Sequence, residues 1–135
     1  MANTVHPASD IENAWEAAFK ASLTTKPSEQ AAYLVETIGY RFTTAGIGLA
    51  DARTVKRWVE EGAEPREHDV VARLNILYRL TSAVANVYGP SVAAAFLRSA
   101  NPQLDDESPL LLLRNGDPQI VQRPLLGAAR ALLEG

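Results

Sequence analysis

Apolar residues recur every three or four positions along most of the 135-residue chain, which is the spacing of an amphipathic helix. The period-two alternation of a β-strand is missing, apart from a weak hint at residues 39–42. The pattern therefore predicts an all-α protein. The predicted helices cover residues 9–22, 28–39, 40–45, 52–61, 66–88, 90–101, 110–115 and 118 onward.

Polar capping residues mark the predicted helix starts, and glycines mark the ends. The caps are Ser9 with Glu12 as a capping box, Ser28, Asp51, and the pairs Ser108-Pro109 and Asp117-Pro118. The terminating glycines are Gly39, Gly62, Gly89 and Gly116. Glycines on both sides of Ile47 predict a turn over residues 46–49. Pro124 lies inside the last predicted helix and is expected to kink it.

The longest predicted helix, at residues 66–88, is apolar around about 220° of its circumference. Such a helix must be covered on two sides. We interpret it as a central strut between an N-terminal and a C-terminal helical module, or as part of a dimer core. Arg73 falls inside the apolar arc, so we expect its guanidinium to extend outward or to meet a carboxylate.

The composition excludes several kinds of site. The chain has no cysteine and only two histidines, so it offers no thiolate nucleophile, zinc–cysteine site or histidine pair at helical spacing. The first 20 residues resemble no signal peptide, and no apolar block approaches the roughly 20 residues of a membrane span. We therefore expect a cytoplasmic protein that contacts no membrane, has no catalytic residues and binds no metal or cofactor.

The segment at residues 40–62 has the parts of a helix-turn-helix: a short helix, a glycine-containing turn and an amphipathic second helix. On the second helix Val55 and Trp58 can pack inward, while the polar residues lie opposite. Arginine can form paired hydrogen bonds to guanine, and lysine and threonine commonly hold phosphates. The candidate DNA-binding residues are Arg41, Arg53, Thr54, Lys56 and Arg57.

The charge distribution limits this hypothesis. The whole chain carries a net charge of −3, whereas residues 39–79 have seven basic against six acidic side chains. DNA binding would therefore need one focused face, doubled by oligomerisation. The alternative interpretation is that the same residues form an ordinary solvated helix face.

Two boxes in the C-terminal half have a recognisable spacing. The first is FLRSANPQL at residues 96–104, and the second is SPLLLLRNG at residues 108–116. Together with RTVKRW at residues 53–58, they resemble the Xre/MbcA/ParS-type antitoxins, in which an Xre-like helix-turn-helix precedes a toxin-binding domain. The resemblance covers residues 40–135 and leaves the first 27 residues without a counterpart.

The resemblance implies an antitoxin that covers the active site of a RES-domain toxin, an NAD-degrading enzyme, with its C-terminal region. It also implies a homodimer within a larger toxin–antitoxin complex, and repression of its own operon through operator DNA. The domains would be an N-terminal extension (1–27), the helix-turn-helix module (28–65) and the toxin-binding domain (66–135). Carried over by position, toxin contact falls on Ser108, Leu110, Arg114, Asn115, Arg130, Leu132, Leu133, Glu134 and Gly135.

Two alternatives stay open at this point. The apolar stripe of the last helix, which includes Leu125, Leu132 and Leu133, either docks on the central helix or is offered to a partner. The protein could also be a stand-alone transcriptional regulator, with the same helix-turn-helix and a C-terminal domain that serves only dimerisation.

Overall fold

The computed structural model describes residues 7–135, so residues 1–6 of the predicted N-terminal extension lie outside the described part. Within that range the chain forms seven α-helices and no β-strand, which confirms the all-α class. The helices are α1 (Ala8–Thr24), α2 (Pro27–Gly46), α3 (Arg53–Glu61), α4 (His68–Tyr88), α5 (Pro90–Arg98), α6 (Pro109–Asn115) and α7 (Pro118–Glu134), with a 3-10 helix at Pro102–Leu104. None of them is both long and apolar enough to cross a bilayer.

Three of the predicted caps form the expected hydrogen bonds. Ser108 Oγ accepts from the amide of Leu111 at 3.2 Å, and the Asp117 side chain accepts from the amide of Gln119 at 2.9 Å. Asp51 Oδ1 accepts from the amide of Arg53 at 2.9 Å, although α3 begins at Arg53 and its N-cap position is held by Ala52 rather than Asp51. Each bond spans two or three residues, which is why the local sequence predicts it.

The other two caps are wrong, because each helix begins before the predicted cap residue. α1 begins at Ala8 after Pro7, with no side-chain cap from Ser9. α2 begins at Pro27, whose fixed φ suits the first helical position. Ser28 is thereby free to bond with Glu64 across the fold.

Gly39 kinks α2, with φ 88° and ψ 165°, a conformation that side chains with a Cβ rarely adopt. Residues 27–38 and 40–46 are therefore two helical parts that meet at an angle, and the predicted short helix is confirmed. The strand hint at residues 39–42 is wrong. Thr43 Oγ1 donates to the carbonyl of Gly39 at 2.8 Å and secures the second part.

Gly46 is the last residue of α2, so the predicted turn begins one residue late. A Cβ at this position would lie 2.9 Å from Cδ2 of Leu77 and 3.0 Å from Cδ1 of Leu110. The end of α2 therefore approaches α4 and α6 closely, a packing that only glycine allows without displacing its neighbours.

α4 is the central helix, and α1, α2, α5 and α7 all pack on it. Leu74, Leu77, Leu80 and Val84 are fully buried along its length. The expectation of a helix covered on two sides is confirmed, and the chain's own helices supply the cover. One hydrophobic core takes buried side chains from α2 through α7, and α3 joins it through its packing on α2.

The Arg73 guanidinium neither extends outward nor meets a carboxylate, the two placements that the sequence predicted. Its Nε donates to the carbonyl of Leu113 at 3.0 Å and its Nη2 to the carbonyl of Gly116 at 2.8 Å. These carbonyls belong to the end of α6, where backbone acceptors lack intrahelical partners. Arg73 therefore ties the central helix to α6 by capping it.

Candidate DNA-binding face and C-terminal surface

α3 is attached by one face and exposes the other. Val55 and Trp58 are buried beneath it, and the helix packs against α2. Arg53, Lys56 and Arg57 are exposed, while Thr54 is half-buried. Three basic side chains of α3 therefore face solvent, while a buried valine and a buried tryptophan anchor the opposite face of the helix.

Arg53 is held by a neighbouring carboxylate. Its Nε lies 3.2 Å from Oδ1 of Asp51 and its Nη2 lies 2.9 Å from Oδ2, and these hydrogen bonds lower the pKa of Asp51 to about 2. The Arg53 side chain is nevertheless 89% exposed. Since an exposed ion pair contributes little free energy, Arg53 can leave Asp51 for a stronger acceptor.

Lys56 is positioned by an aromatic ring on α2. Its Nζ lies 5.7 Å from the ring centroid of Tyr40, and the Tyr40 hydroxyl donates to Glu60 Oε2 at 3.0 Å. Tyr40 therefore contacts a basic and an acidic side chain of α3 together. This places Lys56 beside the start of the 40–46 part of α2.

Arg41, the remaining predicted DNA-binding residue, is exposed on α2. It lines a cavity of about 320 Å³ at the turn between α2 and α3, together with Thr44, Asp51 and Arg114. Arg57 and Thr54 line a separate cavity of about 450 Å³ between α3 and the start of α4. The fold therefore places Arg41 and Arg57 against different depressions.

The boxes that carry the family resemblance build local structure. Asn101 Oδ1 caps the 3-10 helix by accepting from the amide of Gln103 at 2.8 Å, and Leu104 is buried. Ser108 and Leu110 are buried as well, so they do not belong to an exposed contact surface. A Cβ at Gly116 would lie only 2.5 Å from Cγ1 of Val121, so this turn needs glycine.

Arg114, which was predicted to contact the toxin, is half-buried and bonds within the chain. Its Nη1 donates to the carbonyl of Ala45 at 3.0 Å and to the carbonyl of Leu49 at 3.1 Å. The predicted toxin-contact residue thus reaches the turn between α2 and α3. Its neighbour Asn115 is exposed.

The C-terminal end of α7 is docked on the chain itself. α7 continues as one helix from Pro118 to Glu134 through Pro124, where the sequence predicts a kink, and no residue inside it leaves the helical conformation. Leu133 is 1% exposed in a cluster with Ile11, Ala18 and Ala83, and Leu132 is half-buried against the main core. The apolar stripe of the last helix is therefore docked within the chain rather than offered to a partner. Leu133 is not a surface residue.

Arg130 fastens this end to α1. It forms ion pairs with Glu12 at 2.5 Å and with Glu134 at 2.8 Å, and its Cζ lies 5.4 Å from the ring centroid of Trp15. These contacts use a predicted toxin-binding residue for an internal junction. At the end of the chain, Glu134 and Gly135 are exposed.

Several exposed apolar side chains were not predicted as contact residues. Ile120 on α7 is 71% exposed and Leu111 on α6 is 45% exposed. The run of four leucines at 110–113 gives no indication of which one faces solvent. Helical spacing from the buried Leu125 would have indicated that Ile120 lies off the core face.

Among residues 7–135 no three histidine, aspartate or glutamate side chains are grouped so as to hold a metal ion. No family model, no curated protein and no solved structure matches the chain. The antitoxin resemblance therefore rests on the two C-terminal boxes and on the 53–58 segment.

Proposed function

We propose that this protein is an antitoxin of a RES-type toxin–antitoxin pair, which covers the toxin's active site with its C-terminal region and binds operator DNA through α3. The observation that carries the proposal is the exposed basic face of α3 on its buried anchor. The toxin half is supported by the resemblance of residues 96–104 and 108–116 and by the exposed apolar side chains of α6 and α7.

DNA binding would depend on the placement of the basic side chains on α3, because the chain as a whole carries a net negative charge. Arg53 and Arg57 are four residues apart, so both project from the same side of α3. In the major groove such a pair can form bidentate hydrogen bonds to guanine, while Lys56 and Arg41 contact phosphates. A homodimer would double these contacts and so offset the net negative charge of the chain.

Toxin binding would use the part of the predicted set that is exposed. Asn115, Glu134 and Gly135 meet that condition, and Leu111 and Ile120 add apolar area to the same C-terminal region. Covering an active site requires shape and buried area on the covering protein. It requires no catalytic group.

The test is growth rescue by co-expression with the protein encoded beside this one. We expect Ile120→Asp to abolish rescue and to leave operator binding intact. We expect the double variant Arg53→Gln/Arg57→Gln to weaken operator binding at least about 30-fold and to keep rescue. Thermal melts of both variants establish that they fold. Loss of both functions in either variant would contradict the separation of the two surfaces.

A second candidate function, the stand-alone regulator, is favoured by the docked position of Leu133. It assigns the exposed C-terminal apolar residues to dimerisation. Under that hypothesis Ile120→Asp converts a dimer into a monomer and weakens operator binding, and no rescue occurs with any neighbouring protein. Sedimentation of the wild type and the variant distinguishes the two functions.

A further inference from the structure

We propose that a groove between α1 and α7 binds an acidic amphipathic helix of a partner protein, whose carboxylate pairs with Arg79 and whose apolar side chains cover Phe19 and Leu23. This α1–α7 groove has α4 as its floor. It is defined by Phe19 and Leu23 on α1, Asn75 and Arg79 on α4, and Gln122 and Leu126 on α7. None of these residues belongs to the DNA-binding face or to the exposed set proposed for the toxin, so the site depends on neither of those functions.

Asn75 of α4 lies between the end of α1 and the start of α7. Its Nδ2 donates to the carbonyl of Ser22 on α1 at 2.8 Å. Asn75 also lines a depression of about 270 Å³ together with Gln119 and Gln122 of α7. The same two glutamines line an adjoining depression of about 340 Å³ with Leu126. The open space beside α7 therefore reaches the residue of α4 that touches α1.

The floor continues along α4 to Arg79. Asn75 and Arg79 are four residues apart, so both project from the same side of the helix. The Cζ atom of Arg79 lies 4.7 Å from the ring centroid of Phe19 on α1. Near the start of α1 the two walls join, because Glu12 forms an ion pair with Arg130 of α7. The groove is therefore closed at the start of α1 and open toward its end.

The α1 wall of the groove is apolar and exposed. Phe19 is 44% exposed and Leu23 is 68% exposed. Glu12, Phe19 and Leu23 follow one another at intervals of seven and four residues, so they project from one side of α1. Glu12 shows that this side is the one turned toward α7. Neighbouring apolar side chains exposed beside polar residues are typical of a protein interaction surface.

Arg79 indicates the charge of the partner. Its guanidinium forms no hydrogen bond or ion pair within residues 7–135, and its one side-chain contact of this kind is with the ring of Phe19. The side chain is half-buried, and this burial lowers the pKa of Arg79. A partly buried charge without a counter-charge is unfavourable. A carboxylate would supply one, since it matches the planar guanidinium through two parallel hydrogen bonds.

The other charges at the groove do not compensate Arg79. Glu16 and Lys20 are exposed on α1 with opposite charges, and neither forms an ion pair in the part of the chain that the structure describes. Arg123 adds a positive charge on the α7 side. The groove is therefore positive beside its apolar wall, and its complement carries acidic residues next to apolar ones.

A helix is the partner element that suits this groove. Grooves between helices bind the apolar face of an amphipathic helix, whereas an extended peptide adds to the edge of a sheet, and residues 7–135 form no sheet. The side chains of Gln119 and Gln122 form no hydrogen bond within that range, so they can bond with polar groups of the bound helix.

The first experiment is a selection from a display library of amphipathic helical peptides on the immobilised full chain. All members carry leucine at i, i+4 and i+7, and the flanking positions vary among glutamate, glutamine and lysine. We expect the selected peptides to be enriched in glutamate and depleted in lysine. The most enriched peptide is then the probe for affinity measurements by fluorescence anisotropy.

The second experiment compares variants of the groove with matched controls. We expect Arg79→Gln and Leu23→Ser each to weaken binding of the probe at least about tenfold. Arg79→Lys keeps the charge and loses the planar fork, so its loss should be smaller than that of Arg79→Gln. The controls Arg98→Gln and Val92→Ser change an exposed arginine and an exposed apolar residue of α5, and both should bind like the wild type. Thermal melts establish that each variant folds.

Three results would overturn the proposal. The first is a selection with no preference for glutamate over lysine. The second is equal affinity of the wild type and Arg79→Gln for the probe, or a loss in the controls as large as in the groove variants. The third is a wild-type dimer that Leu23→Ser converts into a monomer, because a second copy of the chain would then occupy the groove. Growth rescue and operator binding enter none of these results.

Discussion

The sequence marks both α3 and the C-terminal end of α7 as binding surfaces, yet the folded chain exposes the basic face of α3 and buries the apolar face of α7. Arg53 on α3 has an 89% exposed side chain, whereas Leu133 on α7 is 1% exposed. The difference follows from what each pattern specifies. A row of charges must stay hydrated, so its exposure is fixed wherever the helix docks. An apolar stripe only requires burial, and its own chain satisfies that as well as a partner does.

The largest expected effect breaks the docking of α7. Leu133→Ala removes a buried side chain from the cluster with Ile11, Ala18 and Ala83, so we expect the free energy of unfolding to fall by about 2–5 kcal/mol. Leu132→Ala changes the half-buried neighbour and should have a smaller effect. Urea denaturation measures both. Little or no loss of stability at Leu133 would show that the end is not docked in solution.

The second prediction compares the loss of stability when each of two arginines is replaced by methionine, and its expected effect is smaller. Arg73→Met leaves the carbonyls of Leu113 and Gly116 without their donor, so we expect a loss of about 1–3 kcal/mol in stability. Arg57→Met, at an exposed position of α3, should change stability by less than about 0.5 kcal/mol. A larger loss at Arg57 than at Arg73 would reverse the contrast between a structural and a surface arginine.

The smallest effect concerns the junction between the loop before α4 and the start of α2. Ser28 donates to the Glu64 carboxylate through its hydroxyl and its amide, which lowers the pKa of Glu64 from 4.5. The carboxylate therefore stabilises the fold fully above pH 4.5, and this contribution is lost as the pH falls through the lowered pKa.

Glu64→Gln should accordingly be less stable than the wild type at neutral pH and equal to it in acid. Thermal melts between pH 7 and pH 2 measure this difference. A stability difference that does not change across that range would mean that the Glu64 charge has no part in the junction.

Local signals predicted much of the fold. The caps at Ser108 and Asp117 and the left-handed Gly62 at the end of α3 involve residues within a turn of one another, so their sequence neighbours suffice. Ser9 and Ser28 were mistaken as caps because each lies inside its helix: α1 begins at Ala8, directly after Pro7, and α2 begins at Pro27. The exposed set on α3 was predicted for a similar reason, since helical spacing alone separates its two faces.

The sequence by itself determined the helical class, the amphipathic face of α3 and most helix boundaries, because these depend on residues a few positions apart. Only the tertiary structure decided where Arg73, Arg114 and Leu133 lie. Arg73 and Arg114 bond with carbonyls 40 to 69 residues away. A guanidinium binds whichever acceptors packing brings within reach, and a leucine fills whichever gap the helices leave. Both placements therefore depend on how the other helices pack around α4.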